Sequence, residues 1–108
     1  MKGRILALPA RVFVTIFGLP VVASAHTPIC DCFDNGNETI TCEGGFSDGA
    51  SAAGIPMRVL DNTGRILIEG AMSGRSDFTF DKPEGNYRVE FEGGEGHVIL
   101  IDGRDIEE

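Results

Sequence analysis

Short runs of alternating apolar and polar residues fill the chain from residue 38 onward, and turn-forming residues separate them. The clearest run is YRVEFE at 87–92, in which Tyr87, Val89 and Phe91 alternate with charged residues. Because successive side chains of a strand point to opposite faces of its sheet, this pattern predicts a strand with one buried face. After Cys42 no run keeps the period of an amphipathic helix.

The remaining runs predict five further strands by the same reasoning: ETITCEGGFS at 38–47, IPMRVLD at 55–61, RILIEGAM at 65–72, SDFTF at 76–80 and HVILID at 97–102. The last run is apolar enough to predict a strand that is covered on both faces. Six or seven short strands separated by turns indicate an all-β fold, a small antiparallel β-sandwich. We expect the acidic tail at 103–108 to fray.

The first 25 residues carry the pattern of a signal peptide. Lys2, Arg4 and Arg11 supply positive charge, VFVTIFGLPVVA is a short apolar run, and ASA places small residues before His26. We expect cleavage after Ala25, a periplasmic or secreted protein, and no membrane-embedded segment afterwards. The domain organisation is then a signal peptide at 1–25, a cysteine-containing segment at 26–37, the sandwich at 38–102 and the tail.

Charge narrows the choice of partners. From residue 26 onward the chain has six basic and seventeen acidic residues, a net charge of −11. Such a surface repels nucleic acid and attracts cations. We therefore expect no nucleic-acid partner.

Several short motifs follow one another in an order that resembles a known domain family. They are Gly54 and Pro56 with Val59, Asp61 with Gly64, Phe78 with Phe80, and Pro83, Gly85, Tyr87 and Val89. This order resembles the transthyretin-like domains, also called carboxypeptidase-regulatory-like or Cna-B-like. The resemblance covers roughly residues 38–101 and implies a β-sandwich, but that fold serves adhesion, spacing, transport and hydrolysis alike.

A narrower resemblance concerns the stretch EFEGGEGH at 90–97. It is similar to the Gly-x-Gly-His ending of the extracytoplasmic accessory subunits of nickel and cobalt uptake transporters. The resemblance implies an accessory role in nickel or cobalt transport, with an envelope or transporter protein as partner.

Two histidines are candidates for a metal site. Cleavage after Ala25 would make His26 the first residue, and its α-amine and ring Nδ1 can bind one ion together, which favours Ni, Co or Cu. His97 would complete the site as a second imidazole if the first segment lies beside the turn at 93–97.

Three cysteines add a second candidate site. A loop at 35–37 would make residues 30–42 a hairpin with Cys30 opposite Cys42, and would place Cys32 on the same face. Three cysteines in an exported chain predict one disulfide, Cys30 or Cys32 with Cys42. The alternative is that thiolates of Cys30 and Cys32, with Cys42 or His26, hold a soft ion such as Cu(I) or Zn(II).

Catalysis has little support in the sequence. Ser47, Ser51, Ser73 and Ser76 fall in loops or turns without a neighbouring histidine, and no Gly-x-Ser-x-Gly elbow is present. We therefore expect no enzyme, but a small exported binding protein that handles Ni, Co or Cu through His26 and His97. The alternative is a structural or protein-interaction module of the cell envelope with no ligand.

Overall fold

The computed structural model describes residues 27–94 and 96–108, and within them it is all-β. Its seven strands are β1 Pro28–Asp34, β2 Thr39–Phe46, β3 Pro56–Asp61, β4 Ile66–Ala71, β5 Asp77–Asp81, β6 Tyr87–Glu92 and β7 Val98–Asp102. Every strand that the alternation predicts is present. The predicted signal peptide and His26 lie outside the described residues.

The strands form two antiparallel sheets that pack face to face. One sheet has the order β1-β2-β5 and the other the order β4-β3-β6-β7. The alternation of β6 holds in three dimensions, since Tyr87, Val89 and Phe91 are buried and the residues between them are not. Aromatic contacts join the sheets, with the rings of Phe80 and Tyr87 edge to face at 6.2 Å.

The cysteine-containing segment contributes a strand to the smaller sheet. β1 pairs with β2 along its whole length, from Pro28 opposite Phe46 to Asp34 opposite Ile40. Residues 28–34 are therefore part of the sandwich, and their inward-facing side chains belong to its core.

β7 differs from its prediction. It pairs only with β6, at the edge of the larger sheet. Ile99 and Ile101 pack against the core, whereas Val98 is 49% exposed and Leu100 is 56% exposed. The expectation of cover on both faces was wrong, because apolar composition alone does not reveal which face a second layer will cover.

The tail is more ordered than its composition indicates. A 3-10 turn at Gly103–Asp105 begins at Asp102, whose carboxylate accepts the backbone N–H of Arg104 at 2.9 Å. Ile106 packs against the core, and the carbonyl of Glu107 accepts the N–H of Asp34 at 2.9 Å. The expected fraying therefore does not occur here, since these contacts tie the tail to the sandwich.

Candidate functional site

The hairpin between β1 and β2 determines which cysteines meet. Its loop lies at 36–38, one residue later than predicted, because Asn35 still pairs with Thr39 through an N–H to carbonyl bond of 3.0 Å. Asp34 accepts the N–H of Gly36 at 2.8 Å, and Gly36 and Glu38 both have a positive φ. The partner of each β1 residue therefore lies two positions further along β2 than expected.

This register places Cys32, and not Cys30, directly opposite Cys42. Cys32 and Cys42 form a disulfide, so one of the two predicted pairings is confirmed. Cys30 lies opposite Gly44, is buried, and remains a free thiol. The predicted common face is also confirmed, since the three Sγ atoms all lie within 4.8 Å of one another. We call Cys30, Cys32 and Cys42 the sulfur cluster.

The environment of Cys30 disfavours its thiolate. Burial is the main cause that raises the pKa of the Cys30 thiol to about 12, and the negative charge of Asp31 adds to it. At neutral pH the group is therefore a protonated thiol and a poor nucleophile.

Apolar side chains surround Gly44, the residue that lies opposite Cys30. A Cβ atom at Gly44 would lie 2.8 Å from Cε2 of Phe91, 3.1 Å from Cε of Met72 and 3.3 Å from Cβ of Ala52. These side chains occupy the space that any larger residue at position 44 would need. Apolar side chains therefore cover Gly44, which lies opposite Cys30.

The second candidate region is the turn between β6 and β7, which carries His97. Gly93 donates its N–H to the carbonyl of His97 at 2.9 Å, and His97 donates its own N–H to the carbonyl of Gly94 at 2.9 Å. Gly94 and Gly96 have φ values of 116° and 71°, which glycine adopts with little cost. The turn holds His97 at the surface.

The start of β1 packs against this turn. A Cβ atom at Gly93 would lie 3.2 Å from Cβ of Pro28, 2.9 Å from the carbonyl oxygen of His97 and 3.0 Å from Cε1 of Phe91. Thr27 is held at the same end by Ser47, whose N–H reaches the Thr27 carbonyl at 2.8 Å. The first segment therefore lies beside the turn, as the two-histidine hypothesis requires. We call Thr27, Pro28 and the described residues of the turn, at 93, 94, 96 and 97, the amino-terminal corner.

A depression of about 620 Å³ opens beside the amino-terminal corner. Its lining consists of apolar side chains, glycine backbone and one carboxylate: Ile55, Pro56, Glu92, Gly93, Gly94, Gly96 and Val98. The sequence pattern placed Glu92 on a solvated face and did not connect it with a site. The only local signal that Glu92 borders a site was its position directly after the buried Phe91, at the end of β6.

Glu92 also belongs to a charge cluster on the outer face of the larger sheet. Arg58 donates to Glu92 at 2.8 Å, to Glu90 at 2.9 Å and to Glu69 at 3.1 Å. These three hydrogen bonds, the one to Glu92 first, raise the pKa of the Arg58 guanidinium. One cation thus offsets part of the charge of three carboxylates. The sequence alone does not predict this contact, because it depends on which strands are neighbours.

The predicted site residues fall into two separate groups. Cys30, Cys32 and Cys42 meet inside the sandwich, where Cys32 and Cys42 are joined by the disulfide and the Sγ atom of Cys30 lies within 4.8 Å of theirs. His97 lies on the exposed turn and is not a member of that group. His26, which immediately precedes Thr27, lies outside the described residues.

No protein-family model, no curated protein and no solved structure matches this chain. Within residues 27–94 and 96–108, no helix has the length and apolar character needed to cross a membrane. Function therefore has to be inferred from the chemistry of the two groups of residues.

Proposed function

We propose that this chain is a small exported, non-catalytic binding protein that handles Ni, Co or Cu at the amino-terminal corner. Its role is delivery or buffering of the ion for an uptake or export system of the cell envelope. The observation that carries the proposal is the contact of Pro28 with Gly93, which brings the first segment to the turn of His97.

The ligand set follows from covalent geometry. Successive Cα atoms are 3.8 Å apart, so the Cα of residue 26 is at most about 7.6 Å from that of Pro28. Covalent geometry therefore permits the α-amine and imidazole of a chain that begins at His26 to reach the turn. The amine, Nδ1 of His26 and the ring of His97 then supply three nitrogen donors, a set that late first-row divalent ions prefer.

The surrounding charge supports a cation as ligand. Residues 26–108 carry a net charge of −11, and Glu92 lines the depression beside the turn. An acidic surface raises the local concentration of cations and speeds their arrival. The family resemblance to transthyretin-like domains and to nickel and cobalt transport accessory subunits remains part of the same proposal.

Export is the second part of the proposal. The signal-peptide pattern at 1–25 predicts it, and the Cys32–Cys42 disulfide is compatible with an oxidising compartment such as the periplasm or the extracellular space. Cleavage after Ala25 is essential, because only a free α-amine at His26 completes the nitrogen set.

Native mass spectrometry of the protein, exported to a bacterial periplasm and purified without chelators, tests this function. We expect a species that begins at His26, contains one disulfide and retains one Ni, Co or Cu ion. Adding one glycine before His26 should abolish retention, because it separates the amine from the ring. A metal-free protein that takes up none of these ions on titration would contradict the proposal.

His97→Ala is the matched variant for the second ligand. Because the side chain is exposed, its loss should change the free energy of unfolding by no more than about 0.5 kcal/mol. The affinity for Ni(II) or Cu(II), measured by calorimetric titration, should fall by at least tenfold, about 1.4 kcal/mol. Equal losses of affinity and stability would mean that His97 acts only in folding.

A second candidate function is a protein-interaction module without a metal. It is favoured by the exposed apolar side chains of the edge strand β7, Val98 and Leu100. Cross-linking in intact cells tests it: Val98→Lys with Leu100→Lys should remove a cross-linked envelope partner. Ile66→Lys on the opposite edge strand is the control, and an unchanged cross-link in the first variant would refute this candidate.

A further inference from the structure

We propose that the sulfur cluster is a redox-gated site for a thiophilic d10 ion, with Cu(I) fitting it better than Zn(II). The site is closed while Cys32 and Cys42 are joined and opens when they are reduced. It is separate from the amino-terminal corner and does not depend on His26 or His97.

The backbone keeps the three sulfurs together in either state. Cys32 lies opposite Cys42 in a ladder of seven paired residues, and Cys30 shares their face two positions away. The paired residues continue on both sides of the disulfide. Reduction therefore breaks one S–S bond without removing the register that places the sulfurs within 4.8 Å of one another.

The spacing suits a metal ion bound by three sulfurs. Ligands at about 2.3 Å from a central ion, arranged as a triangle, lie about 4 Å apart. The sulfurs of Cys30, Cys32 and Cys42 already lie within 4.8 Å of one another, so rotation of the side chains suffices to form the triangle.

The surroundings select the type of ion. Phe91, Met72 and Ala52 surround Gly44, the residue opposite Cys30, and their side chains carry no oxygen, which disfavours Mg²⁺ and Ca²⁺. Thiolates select Cu(I) and Zn(II). Cu(I) is satisfied by three sulfurs, whereas Zn(II) prefers a fourth ligand, which would have to come from outside the three cysteines, such as solvent on the half-buried side of Cys32.

An external dithiol supplies the electrons that open the site. The dithiol gives two electrons and two protons to the Cys32–Cys42 bond and leaves as its own disulfide, so that the protein then carries three thiols. Binding of one Cu(I) converts the three thiols to coordinated thiolates and releases three protons. Reoxidation by an external disulfide, which takes up two electrons and two protons and leaves as a dithiol, re-forms the Cys32–Cys42 bond and expels the ion by removing two ligands.

Competition for Cu(I) against the chromophoric chelator bicinchoninate, under nitrogen, tests the proposal on the mature chain. We expect the reduced protein to bind one more Cu(I) than the oxidised protein, in which the sulfur cluster is closed. Zn(II) titrated into the reduced protein should bind more weakly and be displaced by Cu(I). Binding by the oxidised form as tight as by the reduced form, or preference for Zn(II), would overturn it.

Cys30→Ser is the decisive variant, because it removes one sulfur and leaves the disulfide intact. Its reduced form should bind Cu(I) at least about 100-fold more weakly, since loss of a ligand costs no less than loss of a supporting residue. His97→Ala should bind Cu(I) like the parent, which separates this site from the amino-terminal corner. Unchanged affinity in Cys30→Ser would refute the site.

Copper-edge X-ray absorption and far-UV circular dichroism cover the case in which the reduced protein unfolds. Three sulfur neighbours, together with recovery of the β spectrum on adding Cu(I), would support the site, because metal binding then provides the folding free energy. Two sulfur neighbours, or a chain that stays unfolded with Cu(I) bound, would contradict it.

Discussion

The sulfur cluster and the amino-terminal corner both involve the segment at 27–32 but are built in different ways. The sulfur cluster is inside the sandwich and is positioned by the pairing of β1 with β2. The amino-terminal corner is at the surface and is positioned by close packing around one glycine. The sulfur cluster therefore depends on the pairing of two whole strands, whereas the amino-terminal corner depends on one close approach at Gly93.

One side chain connects the two regions. The ring of Phe91 faces Gly44 with Cε2 and Gly93 with Cε1, and it is completely buried. The sulfur cluster and the turn of His97 therefore share one wall. A substitution intended to affect only one of the two regions must therefore leave Phe91 unchanged.

The largest effect is expected from Phe91→Ala, which damages both regions at once. Removal of a fully buried phenylalanine should lower the free energy of unfolding by about 3–5 kcal/mol, measured by urea denaturation. Phe33→Ala, on the outer face of β1, is the control and should cost clearly less, because Phe33 is only partly buried. Similar losses in both variants would show that Phe91 does not join the two regions.

Loss of the disulfide comes next and affects the sulfur cluster alone. The bond closes a loop with a sequence separation of 10 residues, so Cys32→Ser with Cys42→Ser should cost about 3 kcal/mol. Cys30→Ser keeps the bond and should cost less. The same urea series on the reduced parent should match the double variant, and a reduced parent as stable as the oxidised one would contradict this estimate.

Gly93→Ala is the matching change at the amino-terminal corner. Its Cβ would meet the carbonyl of His97 at 2.9 Å and Pro28 at 3.2 Å, so the turn must shift. We expect a loss of about 1–3 kcal/mol and weaker Ni(II) binding, with the disulfide intact by mass spectrometry. Gly74→Ala, which meets nothing within 4 Å, is the control. Equally weak Ni(II) binding in both variants would show that the contact between Pro28 and the turn does not contribute to the site.

The smallest effect concerns acid, and it arises outside both regions. Hydrogen bonds from Thr63 and Arg65 hold the pKa of Asp61 at about 2, and those from Arg104 do the same for Asp102. Both carboxyls bind protons less readily in the folded chain than in the unfolded chain, because folding lowers their pKa below the ordinary value of 3.8. Their contribution is therefore complete above pH 3.8 and is lost as the pH falls towards 2.

Urea midpoints measured at pH 5, 4, 3 and 2 test this acid effect. The Asp61→Asn and Asp102→Asn variants should show a flatter decline than the parent between pH 4 and 2. The bonded state of Cys32 and Cys42, assessed by mass after alkylation, should not change over this range. A parent whose stability is constant from pH 4 to 2 would contradict the depressed pKa values.

The strands themselves could be predicted because their information is local. The alternation of YRVEFE and the turn at Asp61–Gly64, where Gly64 has a φ of 90°, depend on residues that are adjacent in the chain. The faces of β7 could not be predicted in this way, because Val98 and Leu100 are as apolar as Ile99 and Ile101. Which pair is buried depends on the position of the other sheet.

The candidate site divides along the same line. The common face of Cys30, Cys32 and Cys42 followed from the two-residue period of a strand, and it required only that the segment be a hairpin. The pairing of Cys32 with Cys42 depended on the loop at 36–38, and a shift of one residue in that loop exchanges the partner. Alternation is robust to such a shift, whereas register is not.

By itself the sequence determined the all-β class, the strand positions, the acidic charge and the presence of sulfur and imidazole donors. Only the tertiary structure decided the Cys32–Cys42 bond, the exposed face of β7 and the contact of Pro28 with Gly93. The physical reason is the distance along the chain over which each feature is determined. Strand formation and turns are governed by a few neighbouring residues, whereas register, sheet edges and backbone contacts arise between residues that are distant in the chain and become neighbours on folding.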